Sequence, residues 1–156
     1  MHENLYMQEE GRILAIDYGT KRVGLAVTDE NCIIPGALDT VLSHEAMNYI
    51  INYSKHNKIK CFVIGEPKKL DNSESEIYKI VIQFGKALKK KFPDIPVVLL
   101  DERFTSKIAY RSIIESGIKK SKRQNKSLID SVSAVILLQS YMDIIKNENY
   151  KPLLIN

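Results

Sequence analysis

Apolar and polar positions alternate in short blocks along the chain. Residues 12–17 (RILAID) and 23–28 (VGLAVT) are apolar runs of strand length, and the few residues between them predict a hairpin. A weaker strand is predicted at 37–42 (ALDTVL). Ser43 then opens a helix in which Met47, Ile50, Ile51 and Ser54 recur at helical spacing. The continuous apolar run 60–65 (KCFVIG) reads as a fourth strand, stopped by Glu66–Pro67. Ser73 and Glu76 fit a capping box, and Ile77, Ile80, Val81, Phe84 and Leu88 form the apolar stripe of the helix behind it. A fifth strand, VVLL at 97–100, ends in Asp101–Glu102–Arg103. Thr105 or Ser106 opens a helix that Gly117 ends, and the last long helix runs from about Ser127 to Lys146.

Three strands in meander followed by helix, strand, helix, strand, helix, helix is an α/β order with no internal repeat. It predicts a ribonuclease-H-like fold, a mixed five-stranded sheet flanked by helices, with the first strand central beside the fourth. At 156 residues the chain suits one domain. The domain is placed at 11–146, with 147–156 as a C-terminal tail. Residues 1–10 are set apart as a leader or tag remnant, because HENLYMQ at 2–8 looks like a protease-cleavage tag with one substitution.

Composition narrows the class. Charged residues at 27% and hydrophobic residues at 44% place the chain among globular proteins, and no segment approaches the roughly 18 apolar residues of a spanning helix. We read it as cytoplasmic, with no membrane partner. Cys32 and Cys61 have neither metal-ligand spacing nor a disulfide framework, and His2, His44 and His56 form no motif. A net charge of +4 is a mild pointer to an anionic partner.

Acids supply the candidate chemistry. Asp17 ends the first strand, Glu66 the fourth, and Asp101 or Glu102 the fifth. Ligands of open α/β sheets bind beyond the carboxyl ends of strands. Clustered carboxylates repel one another there, and a hard divalent cation, Mg²⁺ or Mn²⁺, relieves the repulsion. Asp130 shares a helical face with Ala134, Leu137 and Tyr141, which brings a fourth acid toward the sheet. Each acid alone has a plainer explanation: a turn acid at Asp17, a helix cap at Asp130, a loop residue at Glu66, a surface partner of Arg103 at Glu102. Their coincidence at one end of one sheet favours the metal site.

Cations surround the same end. Lys21, Arg22 and Arg103 lie close to the strand ends, and KKSKRQNK at 119–126 packs five cations into eight residues just before the helix that carries Asp130. Lys119, Lys120, Lys122, Arg123 and Lys126 are therefore candidate phosphate contacts, although such runs are often solvated loops. The run LKKK at 88–91 ends a helix, where cations favour the dipole, and needs no further role.

AIDYGTKRVGLAVTD, VIGEP, DERFTS and KSLIDSVSAVILLQSY together resemble the YqgF (RuvX) family of ribonuclease-H-like proteins, described as Holliday-junction resolvases and as pre-16S rRNA nucleases. The resemblance covers about 12–143. It implies a metal-dependent endonuclease acting at the 5′ end of small-subunit rRNA, with Asp17, Glu102 and Asp130 as catalytic and metal-binding acids. Pre-rRNA or branched DNA would be the substrate, a ribosomal particle a further partner, and the state a monomer or homodimer. Gly65–Glu66–Pro67 departs from the family's usual Gly-Leu-Pro, and related resolvases carry a catalytic glutamate on that strand, so Glu66 competes with Glu102 for the third position. Two other readings stand beside this one. D-x-G-T also opens the phosphate sites of actin-like and sugar-kinase proteins, and the fold can serve as a non-catalytic RNA- or ribosome-binding module.

Overall fold

The computed structural model describes residues 10–67, 76–101 and 126–156, the side chains of 126–131 excepted. Its strands are β1 (Arg12–Tyr18), β2 (Arg22–Thr28), β3 (Pro35–Leu42), β4 (Ile59–Glu66), β5 (Val97–Asp101) and β6 (Leu153–Ile155), with helices α1 (Ala46–Ser54), α2 (Glu76–Lys91) and α3 (Lys126–Ile144). They form one sheet in the order β3-β2-β1-β4-β5-β6. β1, β4 and β5 run parallel, while β2, β3 and β6 are antiparallel to their neighbours. The ribonuclease-H-like arrangement predicted from element order is therefore the one observed, with β1 beside β4. Among the described residues six strands pair rather than five, because residues 153–155, expected within a tail, pair with β5.

The long apolar runs of β1 and β4 follow from their interior places: each is covered on both faces and paired on both edges. Leu14, Ile16, Phe62, Ile64, Val97 and Leu99 point to one face and pack with Ile50 of α1 and Val81, Phe84 and Leu88 of α2. Ile13, Ala15, Cys61, Val63, Val98 and Leu100 point to the other and meet Ala134, Leu137, Leu138 and Tyr141 of α3. Each of the larger aliphatic side chains so buried contributes about 1.5–3 kcal/mol of transfer free energy. The result is a sheet sandwiched between two helical layers.

Local contacts differ from expectation at two points. Ser43 does not cap a helix with its side chain. Its hydroxyl donates to the Thr20 carbonyl (2.8 Å) and its N–H to the Lys21 carbonyl (2.9 Å), tying the end of β3 to the β1–β2 turn. A short 3-10 turn, Ser43–Glu45, precedes α1 instead. In the β1–β2 turn the Gly19 N–H donates to the Arg22 carbonyl (2.9 Å), and a Cβ at Gly19 would lie 2.6 Å from that oxygen. Glycine is needed there for close backbone approach.

Candidate active site

Strand β1 is sealed through Ile16 and becomes partly accessible at Asp17, where it leaves the sheet's interior. Side chains alternate along a strand, so Asp17 belongs to the face of Ile13 and Ala15, which is the face covered by α3. Its antiparallel partner on β2 is Gly24. On β4 the last registered pair is Ile16 with Ile64, so the next position beside Asp17 is Gly65. Neither neighbour carries a side chain on that face, and the carboxylate has lateral room on both sides. This flanking pair is not apparent from residue types at the strand ends. It was there to be found, because the turn at Gly19–Arg22 fixes the hairpin register that sets Asp17 opposite Gly24.

Helix α3 is oriented by two contacts. A Cβ on Gly65, at the carboxyl end of β4, would meet the Leu137 methyl groups at 3.5 Å, whereas the Tyr141 hydroxyl lies 3.8 Å from the Cys61 sulfur nearer the amino end. The helix thus runs opposite to β4, and its first turns stand at the carboxyl ends of the strands. Asp130 lies seven residues, two helical turns, before Leu137 on the same helical face. Its backbone is helical, and its side chain lies outside the described residues, as does that of Lys126.

The other acids divide by face. Glu66 and Asp101 are registered neighbours at the ends of β4 and β5, both partly accessible. By alternation with Ile64 and Leu99 they belong to the α1 and α2 face, opposite Asp17. Tyr18 points to that face too, where its ring meets Phe84 at 4.6 Å and burial raises its phenol pKa, so it stays protonated. Lys21 and Arg22 follow in the turn at the same end of the sheet, Lys21 exposed and Arg22 half-buried. Glu102, Arg103, Lys119, Lys120, Lys122 and Arg123 lie outside the described residues.

Among the described residues, no three His, Cys, Asp or Glu side chains form a metal-holding group. The donor type at Asp17 is nonetheless that of a hard-cation site, a carboxylate flanked by two glycines. Cys61 is far from such a role. Burial pushes its thiol up to about 12, which leaves it protonated and inert, as expected of an incidental core cysteine.

A family model described as "RuvX: Holliday junction resolvase" matches residues 11–144. The chain belongs to the RuvX family. Among its RuvX relatives, a protein of Porphyromonas gingivalis is 50% identical over 133 residues, which cover 85% of this chain and 96% of that one. One of Bacteroides fragilis is 49% identical over 132 residues, with the same coverage of each chain. Both are named "Putative pre-16S rRNA nuclease". The fold is shared with Thermus thermophilus RuvC in complex with a Holliday junction substrate, at a TM-score of 0.60 and 14% identity over 92% of this chain and 99% of that one. It is also shared with the Fowlpox virus resolvase bound to junction DNA, at a TM-score of 0.54 and 16% identity over 87% and 99%. This RuvX chain is thus a nuclease-family protein on a ribonuclease-H-like, resolvase-type scaffold. Among its described residues no helix is long and apolar enough to cross a membrane.

Proposed function

We propose that this chain is a cytoplasmic, divalent-metal-dependent endonuclease that processes the 5′ end of pre-16S rRNA. The observation that carries the reading is the position of Asp17: at the carboxyl end of the central strand, flanked by two glycines, under the end of α3 that bears Asp130. Asp17, Asp130 and Glu102 are the proposed ligands of Mg²⁺ or Mn²⁺. Glu102 is preferred to Glu66 because strand alternation assigns Glu66 to the face opposite Asp17, whereas the family resemblance supports an acid at Glu102. A bound cation there supplies Lewis-acid stabilisation of the phosphodiester and a water of lowered pKa. Within the protein, the acids fix the geometry of that centre, Gly24 and Gly65 leave room for the scissile phosphate, and Lys21, Arg22 and Arg103 neutralise flanking phosphates. The basic run Lys119, Lys120, Lys122, Arg123 and Lys126 extends the same contact along the substrate.

The names carried by relatives of near 50% identity favour precursor rRNA. The description of the family model favours the second reading, a four-way DNA junction. Offering 5′-extended 16S rRNA, a four-way DNA junction and unstructured RNA in parallel, with Mg²⁺, Mn²⁺ or EDTA, separates them. Metal-dependent cleavage at a discrete site in the rRNA leader is the expected result. Preferential cutting of the junction would transfer the function to the second reading, and binding without cleavage of any substrate would leave a non-catalytic RNA-binding module.

A further inference from the structure

At the amino ends of β4 and β5, the end of the sheet opposite Asp17, lies a cavity of 490 Å³. The end of α1 at Ser54, the start of β4 and the α2–β5 connection wall it, and Lys58, Lys60 and Lys91 line it against a single carboxylate, Asp94. Lysines at a helix end ordinarily need no ligand, because they complement the carbonyl end of the dipole. Lys89 is directed elsewhere, its ammonium donating to the Ile95 carbonyl in the α2–β5 connection at 3.2 Å. Lys58 follows the end of α1, whereas Lys60 lies on β4, where it serves no helix end and is only 9% exposed. An excess of cations gathered in a concave, partly apolar site matches an anion that is itself concave-fitting and multiply charged, such as a nucleic-acid backbone.

We propose that this cavity is a second phosphate-binding site, which holds the backbone of a long substrate at the far end of the sheet while the acids act at the other. The inference rests on the nucleic-acid reading of the acid end. The seven residue steps from Ile59 to Glu66 separate the two sites by about 23 Å at the usual strand rise. Only a nucleic acid longer than that span can touch both. The site would therefore select extended or particle-borne substrates over short ones.

Lys58 and Lys91 are both exposed, so the K58Q/K91Q variant retains the fold and can be compared directly with the unaltered protein. Binding to a 5′-extended 16S rRNA fragment and to a hairpin shorter than the span is measured in EDTA over a series of salt concentrations. The expected result is several-fold weaker binding of the long RNA and a salt slope shallower by roughly 0.7–0.9 per lost contact, with hairpin binding unchanged. Unchanged long-RNA binding, or equal weakening for both RNAs, overturns the proposal. Since no turnover is required, these results stand apart from the nuclease reading: tight, Lys58/Lys91-dependent binding by a protein that never cleaves would sink that reading and keep this one.

Discussion

A single carboxylate gains its meaning from what its neighbours lack. Asp17 stands between Gly24 and Gly65, and the two registers decide this rather than any property of the aspartate. The same alternation turns Glu66 to the face opposite Asp17, and the contest between the two glutamates concerns metal affinity as well as rate. Glu102→Gln should raise the Mn²⁺ concentration needed for half-maximal cleavage and lower the rate beyond the 10–100-fold that loss of an outer-shell partner costs. Glu66→Gln should show the smaller effect on both, and the reverse order in a metal titration would move the third ligand to β4. A second residue-scale prediction concerns Asp29, whose carboxylate accepts the N–H groups of Ile33 (2.6 Å), Ile34 (2.8 Å) and Asn31 (3.3 Å) in the β2–β3 loop. Those bonds, the one from Ile34 foremost, hold its pKa below the ordinary carboxylate value. A depressed folded pKa stabilises above the unfolded value, and that contribution is lost as pH falls through the folded one. Asp29→Asn should accordingly lower the melting temperature at neutral pH, with the gap from the unaltered protein closing in acid. A gap that persists unchanged at low pH would contradict this.

Helix α3 is the element that joins core to site. Its Ala134, Leu137, Leu138 and Tyr141 cover the Asp17 face of the sheet, so packing at Leu137 sets where the preceding turns stand. Leu137 is 4% exposed, and Leu137→Ala should cost about 2–5 kcal/mol in urea unfolding while also impairing cleavage. A loss below 1 kcal/mol would show that the helix is not seated as described. Most elements were legible in the sequence because burial leaves a period: two-faced apolar runs for β1 and β4, a stripe of Val81, Phe84 and Leu88 for α2. β6 left none. It has three residues, two of them with exposed side chains, Leu153 and Leu154, and only Ile155 is buried. The Ser43 cap was misread for a related reason, since Ser preceding a helix looks the same whether its hydroxyl caps that helix or reaches a turn 23 residues away.

At the scale of the whole molecule, a sheet with acids at one end and cations at both ends is a scaffold for a polyanion. The candidate site was legible as residue types at strand ends, but the faces on which they lie were not, because a face depends on register between strands. The basic run before α3 gives the corresponding test of binding. Replacing Lys119, Lys120, Lys122 and Arg123 with Gln should flatten the salt dependence of RNA binding by roughly 0.7–0.9 log units per lost contact, with little change in cleavage at saturating substrate. An unaltered slope would make that run a solvated loop. The central claim, that Asp17 holds a divalent metal which cuts a phosphodiester, is tested most directly by the Asp17→Asn variant. Cleavage of 5′-extended 16S rRNA in Mg²⁺ or Mn²⁺ is compared between the unaltered protein and the variant, with circular dichroism and melting temperature confirming that both are folded. Metal-dependent product is expected from the first and none from the second, since the substitution keeps the shape and removes the charge. Wild-type cleavage rates in the folded Asn variant would contradict it.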